Sequence, residues 1–298
     1  MNGYYTDYSE YMSRFFPGRK VQKISVNIGT GCPNRDGTIG FGGCIYCNNS
    51  SFTPSYCFKG GSVTEQMESG KKFFRKKYPD MKFLAYFQSY TGTHGITADK
   101  LETLMREALD TENTVGLIIG TRPDCLPDDI IAMLCKLNSE APVFVELGIE
   151  TLHDDTLRLI NRGHDAACSI DTIKKLSARG LHVGVHLIAG LPGESEEITL
   201  DTVKQICNLP VESIKMHHLQ VLRGTTLEKL HTEKKIEIPA LTLDQYIDLC
   251  VRIIEIVPRT IAIERFLASS PPALVVKPKW GLKNYEFTNL LLNKLKHK

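Results

Sequence analysis

From Val21 onward the chain alternates short apolar runs with longer stretches whose apolar residues recur every three or four positions. The short runs suit buried strands, and the 3.6-residue period suits helices laid over them. Six strands are predicted: Val21 to Ile28, Phe83 to Phe87, Val115 to Ile119, Val143 to Ile149, Val183 to Ile188 and Ile214 to Leu219. Helices between them give the βα alternation of a parallel sheet. Helix starts are marked in the sequence. Ser62-Val-Thr-Glu65 and Thr151-Leu-His-Asp154 each fit a capping box, and Pro127 followed by Asp128 and Asp129 fits a first turn. Beyond Arg223-Gly224 the alternation stops. A helix from Leu243 to Ile256, a short strand from Thr260 to Phe266, a break at Ser269 to Pro272 and a helix from Asn284 to Leu295 follow. The expected class is α/β, a partial barrel of six βα units over residues 20–235. An N-terminal extension (1–19) precedes it, and an α-rich C-terminal appendage (236–298) packs on it.

In a parallel βα barrel the loops that follow the strands gather at one face, and reactive groups collect there. The loop after the first strand, GTGCPNRDGTIGFGGCIYCNN, belongs to that face and carries Cys32, Cys44 and Cys47. Eleven residues separate the first pair and two the second. Three thiolates so placed hold an iron–sulfur cluster while leaving one iron without a protein ligand, the arrangement a radical reaction needs. Gly37, Gly40, Gly42 and Gly43 let the backbone bend closely around such a group. A closed site is the rival: Cys57 could complete a four-thiolate zinc centre or a saturated cluster, although zinc sites of that kind usually show two close cysteine pairs. Cys125 should also emerge at the reactive face, and a structural role is expected for it.

Composition changes this picture little. Net charge is +2, no apolar run is long enough to span a membrane, and the opening MNGYYTDYSEYM does not read as a signal peptide. A cytoplasmic location is therefore expected, in which nine cysteines mean ligands or free thiols. Charge is uneven, with Lys71, Lys72, Arg75, Lys76 and Lys77 on one predicted helix. Lys277, Lys279, Lys283, Lys294, Lys296 and Lys298 stand near the end against Glu286. Such runs are usually solvated faces and otherwise contact phosphate.

The stretch from Cys32 to Cys47, ending Cys44-Ile-Tyr46-Cys47, resembles the cluster loop of the radical S-adenosylmethionine (SAM) superfamily. Its eleven-residue first spacing matches a branch related to the Elongator catalytic subunit and to MiaB-like enzymes. KISVNIGTGCPNRDG, GGCIYCNN, YFQSYTGT, GTRPDCL, VELGIET, NRGH, HLIAGLPGE and LRGTTL follow in the order of the YtqA/YhcC-like radical SAM proteins, and the resemblance runs to the terminal KPKW. It implies a partial (β/α)6 radical SAM barrel in which Cys32, Cys44 and Cys47 ligate a [4Fe–4S] cluster and SAM chelates the open iron. Tyr46 stands where relatives place an aromatic against the adenine. Gln88 to Thr93 follows the second strand, where many relatives carry an acid for the SAM amino group. Gln88 and Thr91 are the polar groups here, and with no acid present the contact falls to backbone carbonyls, to Thr91 or to another strand.

Glu146 and Glu150 share one face of the fourth strand. Pointing inward, each carboxylate needs a partner, either the SAM ammonium or a structural cation. Arg162 matches a position whose guanidinium holds the SAM carboxylate, the alternative being a surface arginine at a helix end. His186 stands where relatives carry an acid for the ribose, or is a core histidine satisfied by backbone. Ile188, Leu219, Gln220 and Val221 would flank the adenine. The resemblance further implies a tRNA substrate, modified at the C5 side chain of the wobble uridine as in MnmL-type proteins, and an electron donor such as flavodoxin or ferredoxin. The same core could act on a small metabolite. A non-catalytic RNA-binding or electron-transfer protein with a closed cluster is the reading from a different class.

Overall fold

The computed structural model describes residues 3–57, 60–75, 80–239 and 241–298. In chain order the elements are β1 (Thr6–Asp7), α1 (Tyr8–Met12), β2 (Val21–Val26), α2 (Val63–Arg75), β3 (Lys82–Phe87), α3 (Ala98–Leu109), β4 (Thr114–Thr121) and α4 (Asp128–Asn138). Next come β5 (Val143–Glu150), α5 (Asp154–Leu159), α6 (Ala166–Ala178), β6 (His182–Ala189), α7 (Glu196–Cys207), β7 (Ser213–His218) and β8 (Val221–Leu222). The chain closes with α8 (Thr226–Thr232), α9 (Leu243–Ile256), β9 (Ala262–Arg265), β10 (Val275–Lys277) and α10 (Asn284–Lys296).

The six expected strands, β2 to β7, form a continuous parallel sheet in sequence order. Two more extend it. β9 pairs with β7 and β1 with β9, both parallel, so the sheet has eight strands ordered β1-β9-β7-β6-β5-β4-β3-β2. The C-terminal part therefore contributes a strand to the barrel wall rather than only covering it. β8 and β10 make a separate antiparallel pair.

Strand alternation sorts the side chains. Ile24, Val26, Ala85, Phe87, Leu117, Ile119, Val145, Leu147, Val183, Val185, Ile214 and Met216 are buried in the main core with residues of the covering helices. The opposite parity, carrying Tyr86, Glu146, Gly148, His186 and His217, faces an internal cavity. The N-terminal segment plugs the other end: Tyr11, Met12 and Phe16 pack with Leu84, Ile118 and Phe144, and the Tyr11 hydroxyl donates to Glu212 Oε2 at 2.6 Å.

The helix starts agree in part. Ser62 and Glu65 form the expected reciprocal pair, with Ser62 N donating to Glu65 Oε2 at 2.8 Å and Glu65 N to Ser62 Oγ at 3.1 Å. The Thr151–Asp154 box does not form. His153 caps α5, while Thr151 Oγ1 donates to Glu194 and Asp154 accepts from Ala166 N. Among the described residues no helix is long and apolar enough to cross a membrane.

Candidate functional site

The cysteine loop leaves β2 and folds on itself before α2. Cys32 O accepts from Arg35 N at 2.8 Å, Asn34 O accepts from Gly43 N at 2.7 Å, and Cys47 N donates to Cys44 O at 3.0 Å. Gly43, at φ +77°, lies where a Cβ would strike the Arg35 guanidinium at 2.7 Å, so a side chain there would push this arginine off the loop. Ile45 N donates to Ile160 O, and Ile45 O accepts from Leu227 N, which ties the loop to the end of α5 and the start of α8. Asn161 adds a clamp from outside the loop. Its Nδ2 donates to Gly43 O at 2.9 Å, and its carbonyl accepts from Asn34.

Cys32, Cys44 and Cys47 face one cavity of about 220 Å³. All nine cysteines are free thiols. Donors surround the three: Arg162 Nη1 is 3.4 Å from Cys44 Sγ, Asn34 Nδ2 is 3.9 Å from the same sulfur, and Arg35 Nη2 donates to Cys47 O at 2.9 Å. Burial pushes the Cys47 thiol up to about 11, with the nearby Cys44 and Cys32 adding to it and Arg35 opposing. Sharing charge with a metal removes that penalty. Several polar atoms here are buried without a protein partner: Arg35 Nε, Arg162 Nε, Arg122 Nη1 and Gln220 Oε1. Native interiors rarely leave such atoms orphaned, so this wall is built to meet a polar group from outside the chain. The residues present thus fit an anionic thiolate cluster with a polar, charged ligand beside it.

Cys57 does not join the three. It is buried in a separate small cavity with its Sγ 3.4 Å from Ser25 O, and burial raises its thiol to about 11. The closed four-thiolate alternative therefore lacks its fourth ligand. Cys125 is buried behind the wall, with its Sγ 3.8 Å from Asp124, and does not line the cavity.

The structure brings Tyr46, Gln88, Thr91, Glu146, Glu150, Arg162, His186, Ile188, Leu219 and Gln220 to the cavity with the cysteines. Val221 is the exception, because it turns to a neighbouring cavity beside Trp280 and packs with Ile45 and Leu227. Arg162 is buried, not a surface arginine. Its Nη2 donates to Gly148 O at 2.5 Å and lies 3.5 Å from Glu150 Oε1. Gly148 permits that approach, since a Cβ there would meet Arg162 Nη2 at 2.8 Å. Glu150 sits where the β5–β6 register shifts, at φ +71°, a conformation side-chain-bearing residues rarely adopt.

Glu146 has its partner within the protein. Lys23 Nζ lies 2.6 Å from Oε1, and Lys215 Nζ, the Tyr86 hydroxyl and His186 Nε2 lie 2.5, 2.6 and 2.8 Å from Oε2. Glu264 bridges the same two lysines at 2.6 and 3.2 Å. The structural-cation alternative is the one realised at this carboxylate, and the lysines hold it well below the usual carboxylate range against the opposing effect of burial. His186 correspondingly has a carboxylate partner rather than a backbone one.

Sequence reading missed Arg35, Arg122, His217 and Tyr86 at this wall. Arg122 follows β4 at the reactive face, in the segment noted only for Cys125. Three residues of the basic runs are engaged within the protein. Lys71 is buried, donating to Glu112 O and paired with Glu68. Lys294 and Lys298 pair with Asp248 and Glu255. Lys76 and Lys77 lie outside the described residues.

Known proteins share the sequence and the fold of this chain. Residues 26–206 match the family model of the Radical SAM superfamily, and residues 211–297 match the Radical_SAM C-terminal domain. The chain is 35% identical to the uncharacterized protein YtqA of Bacillus subtilis over 284 residues, 94% of this chain and 86% of that protein. It is 28% identical to a tRNA uridine(34) acetyltransferase of Methanocaldococcus infernus over 165 residues, 54% of this chain and 30% of that protein. Among solved structures, the archaeal Methanocaldococcus infernus Elp3 with an N-terminal deletion superposes with a TM-score of 0.72 at 18% identity, across 94% of this chain and 63% of that one.

Proposed function

Because the chain belongs to the radical SAM superfamily, among its YtqA/YhcC-like members, we propose that it modifies tRNA at the C5 side chain of the wobble uridine, using a [4Fe–4S] cluster and SAM. The observation that carries the chemistry is the convergence of three cysteines and unpartnered buried polar atoms on one cavity. The tRNA assignment draws on the relatives named for uridine 34. Those relatives are matched over 54%, 61% and 47% of this chain and about a third of their own length.

Cys32, Cys44 and Cys47 would hold the cluster. Arg162, Glu150, Thr91, Gln88, Tyr46 and Gln220 would hold SAM. When bound, the pair supplies one-electron reduction of the sulfonium and, from it, hydrogen-atom abstraction. The chain's own residues prepare the site. Arg162 stays charged beside Cys44 and keeps its unpartnered Nε for a carboxylate oxygen. Glu150, held near Arg162, offers an acceptor to an ammonium. Gln220 Oε1 accepts a ligand N–H, and Tyr46, Ile188 and Leu219 supply apolar walls that keep water out. Arg35 Nη2 donates to Cys47 O and Asn34 Nδ2 lies 3.9 Å from Cys44 Sγ, so both place N–H groups beside the ligand cysteines.

Mass spectrometry of tRNA nucleosides from a deletion strain tests the reading. Loss or truncation of a C5 side chain on the wobble uridine is expected, with restoration by the wild-type gene and not by a Cys44→Ala variant. An unchanged wobble-uridine profile would count against a tRNA substrate and favour a small metabolite.

A further inference from the structure

Arg35 belongs to the cysteine loop itself, between Cys32 and Cys44, and it lines the cavity that the three cysteines face. Its Nη2 donates to Cys47 O at 2.9 Å, whereas its Nε is buried with no partner. In a guanidinium the Nε–H and an Nη2–H share one edge of the fork. Arg122 shows that edge in use, with Nε and Nη2 donating to the two oxygens of Asp124 at 2.9 and 2.7 Å. The same edge of Arg35 is turned to Cys47. One of its donors is taken by the backbone of a ligand cysteine, and the other is left over beside it. Nε is fixed from a second side as well, since a Cβ on Gly43, the residue before Cys44, would meet it at 2.7 Å. The orphaned N–H is thereby held between the backbones beside two of the three ligands.

No counter-ion from the chain meets this arginine. Among the described residues no carboxylate forms an ion pair with it, and its neighbour Asp36 is engaged by His94 at 2.6 Å and by the Thr38 hydroxyl at 2.7 Å. The other two arginines at this wall differ. Arg122 pairs with Asp124, and Arg162 lies near Glu150 and donates to Gly148 O. Arg35 has instead the Tyr90 ring, whose centroid is 5.7 Å from the guanidinium carbon. Tyr90 follows β3 at φ +47°, a left-handed conformation that residues with side chains rarely adopt, and its N donates to Asn49 Oδ1 at 3.1 Å. A partly exposed aromatic ring is thus held over the guanidinium. A cation with a buried, unpaired donor calls for an anionic acceptor, and the group that three thiolates hold is the one at hand.

We propose that Arg35 donates from Nε to a sulfur of the cluster held by Cys32, Cys44 and Cys47, and so sets the potential at which that cluster accepts its electron. The assignment rests on the cluster reading above. Reduction takes one electron from an external one-electron carrier and adds one negative charge, with no bond made or broken. Hydrogen bonds to sulfur and nearby positive charge stabilise the reduced form more than the oxidised one. Arg35 therefore raises the potential.

Redox titration of the reconstituted protein without SAM, followed by electron paramagnetic resonance, tests this. Arg35→Met removes charge and donor together and should make reduction about tenfold less favourable, a fall of about 59 mV for one electron. Arg35→Lys keeps the charge but not the fork, and Arg35→Gln keeps an N–H without the charge, so both should fall between wild type and Arg35→Met. Iron and labile sulfide measured on the same samples restrict the comparison to loaded proteins. Equal potentials in the wild type and the loaded variants would overturn the proposal. Loss of the cluster from all three variants would overturn it too, by making Arg35 a brace of the loop. A wild-type protein that holds no labile sulfide removes the cluster reading itself, whereas a normal cluster with an unmoved potential removes the role of Arg35 alone.

Discussion

Arg162 Nη1 lies 3.4 Å from Cys44 Sγ, although 118 positions separate the two residues along the chain. The contact joins the cysteine loop to the segment after α5, so loss of the guanidinium should affect both. Arg162→Met would leave Glu150 without its cation and Gly148 O without its donor, at a cost of about 3–5 kcal/mol in stability, the range for breaking a buried pair. Lower iron retention after anaerobic reconstitution and a lower Tm are expected. Arg162→Lys should recover little, because an ammonium does not reproduce the planar fork.

The separation of Cys57 from the other three thiols gives a ligand test. Cys32→Ala, Cys44→Ala and Cys47→Ala should each lose most bound iron and sulfide, whereas Cys57→Ala should keep the wild-type content. Iron and labile-sulfide assays on the reconstituted proteins measure this. Iron loss in Cys57→Ala equal to that in Cys44→Ala would restore the closed-site alternative.

Glu146 gives a prediction in pH. Its folded pKa lies below its unfolded value, so the folded state binds fewer protons in the interval between them. Its contribution is fully present above the unfolded carboxylate value of about 4.3. It is lost as pH falls through the depressed folded value. Glu146→Gln should remove that acid-side slope and destabilise the protein by about 3–5 kcal/mol at neutral pH, since Lys23 and Lys215 lose a shared counter-charge. Urea denaturation as a function of pH checks both parts.

The strands were legible because their outward parity is continuously apolar, and α9 matches its expected bounds because Thr242 and Gln245 cap its start reciprocally. The inward parity was harder. Lys23 and Lys215 stand singly in strands and read as ordinary solvent-facing lysines. Their partner Glu146 is 123 and 69 positions away, so the buried cluster exists only after folding. β1, at two residues, carries no periodicity to detect, and it forms because β9 offers it an edge. Lys71 shows the same limit. Its place in a basic run suggested a charged surface, yet its side chain turns inward to Glu112 O.

Gln220 and Val221, adjacent in sequence, should separate in behaviour. Gln220→Leu removes the buried unpartnered Oε1 and should weaken SAM binding about tenfold with little change in Tm. Val221→Ala should cost about 2 kcal/mol by loss of packing in the cluster with Ile45 and Leu227, and leave SAM affinity near wild type. Calorimetric titration and thermal unfolding of the two variants measure the contrast.

The central claim is that three cysteines, and not four, hold a cluster that acts on SAM. The most direct measurement is anaerobic incubation of the reconstituted protein with SAM and dithionite, followed by quantification of 5′-deoxyadenosine and methionine. Both products are expected from the wild type and from Cys57→Ala, and neither above background from Cys32→Ala, Cys44→Ala or Cys47→Ala. A fully loaded wild-type protein that forms no 5′-deoxyadenosine would contradict the account.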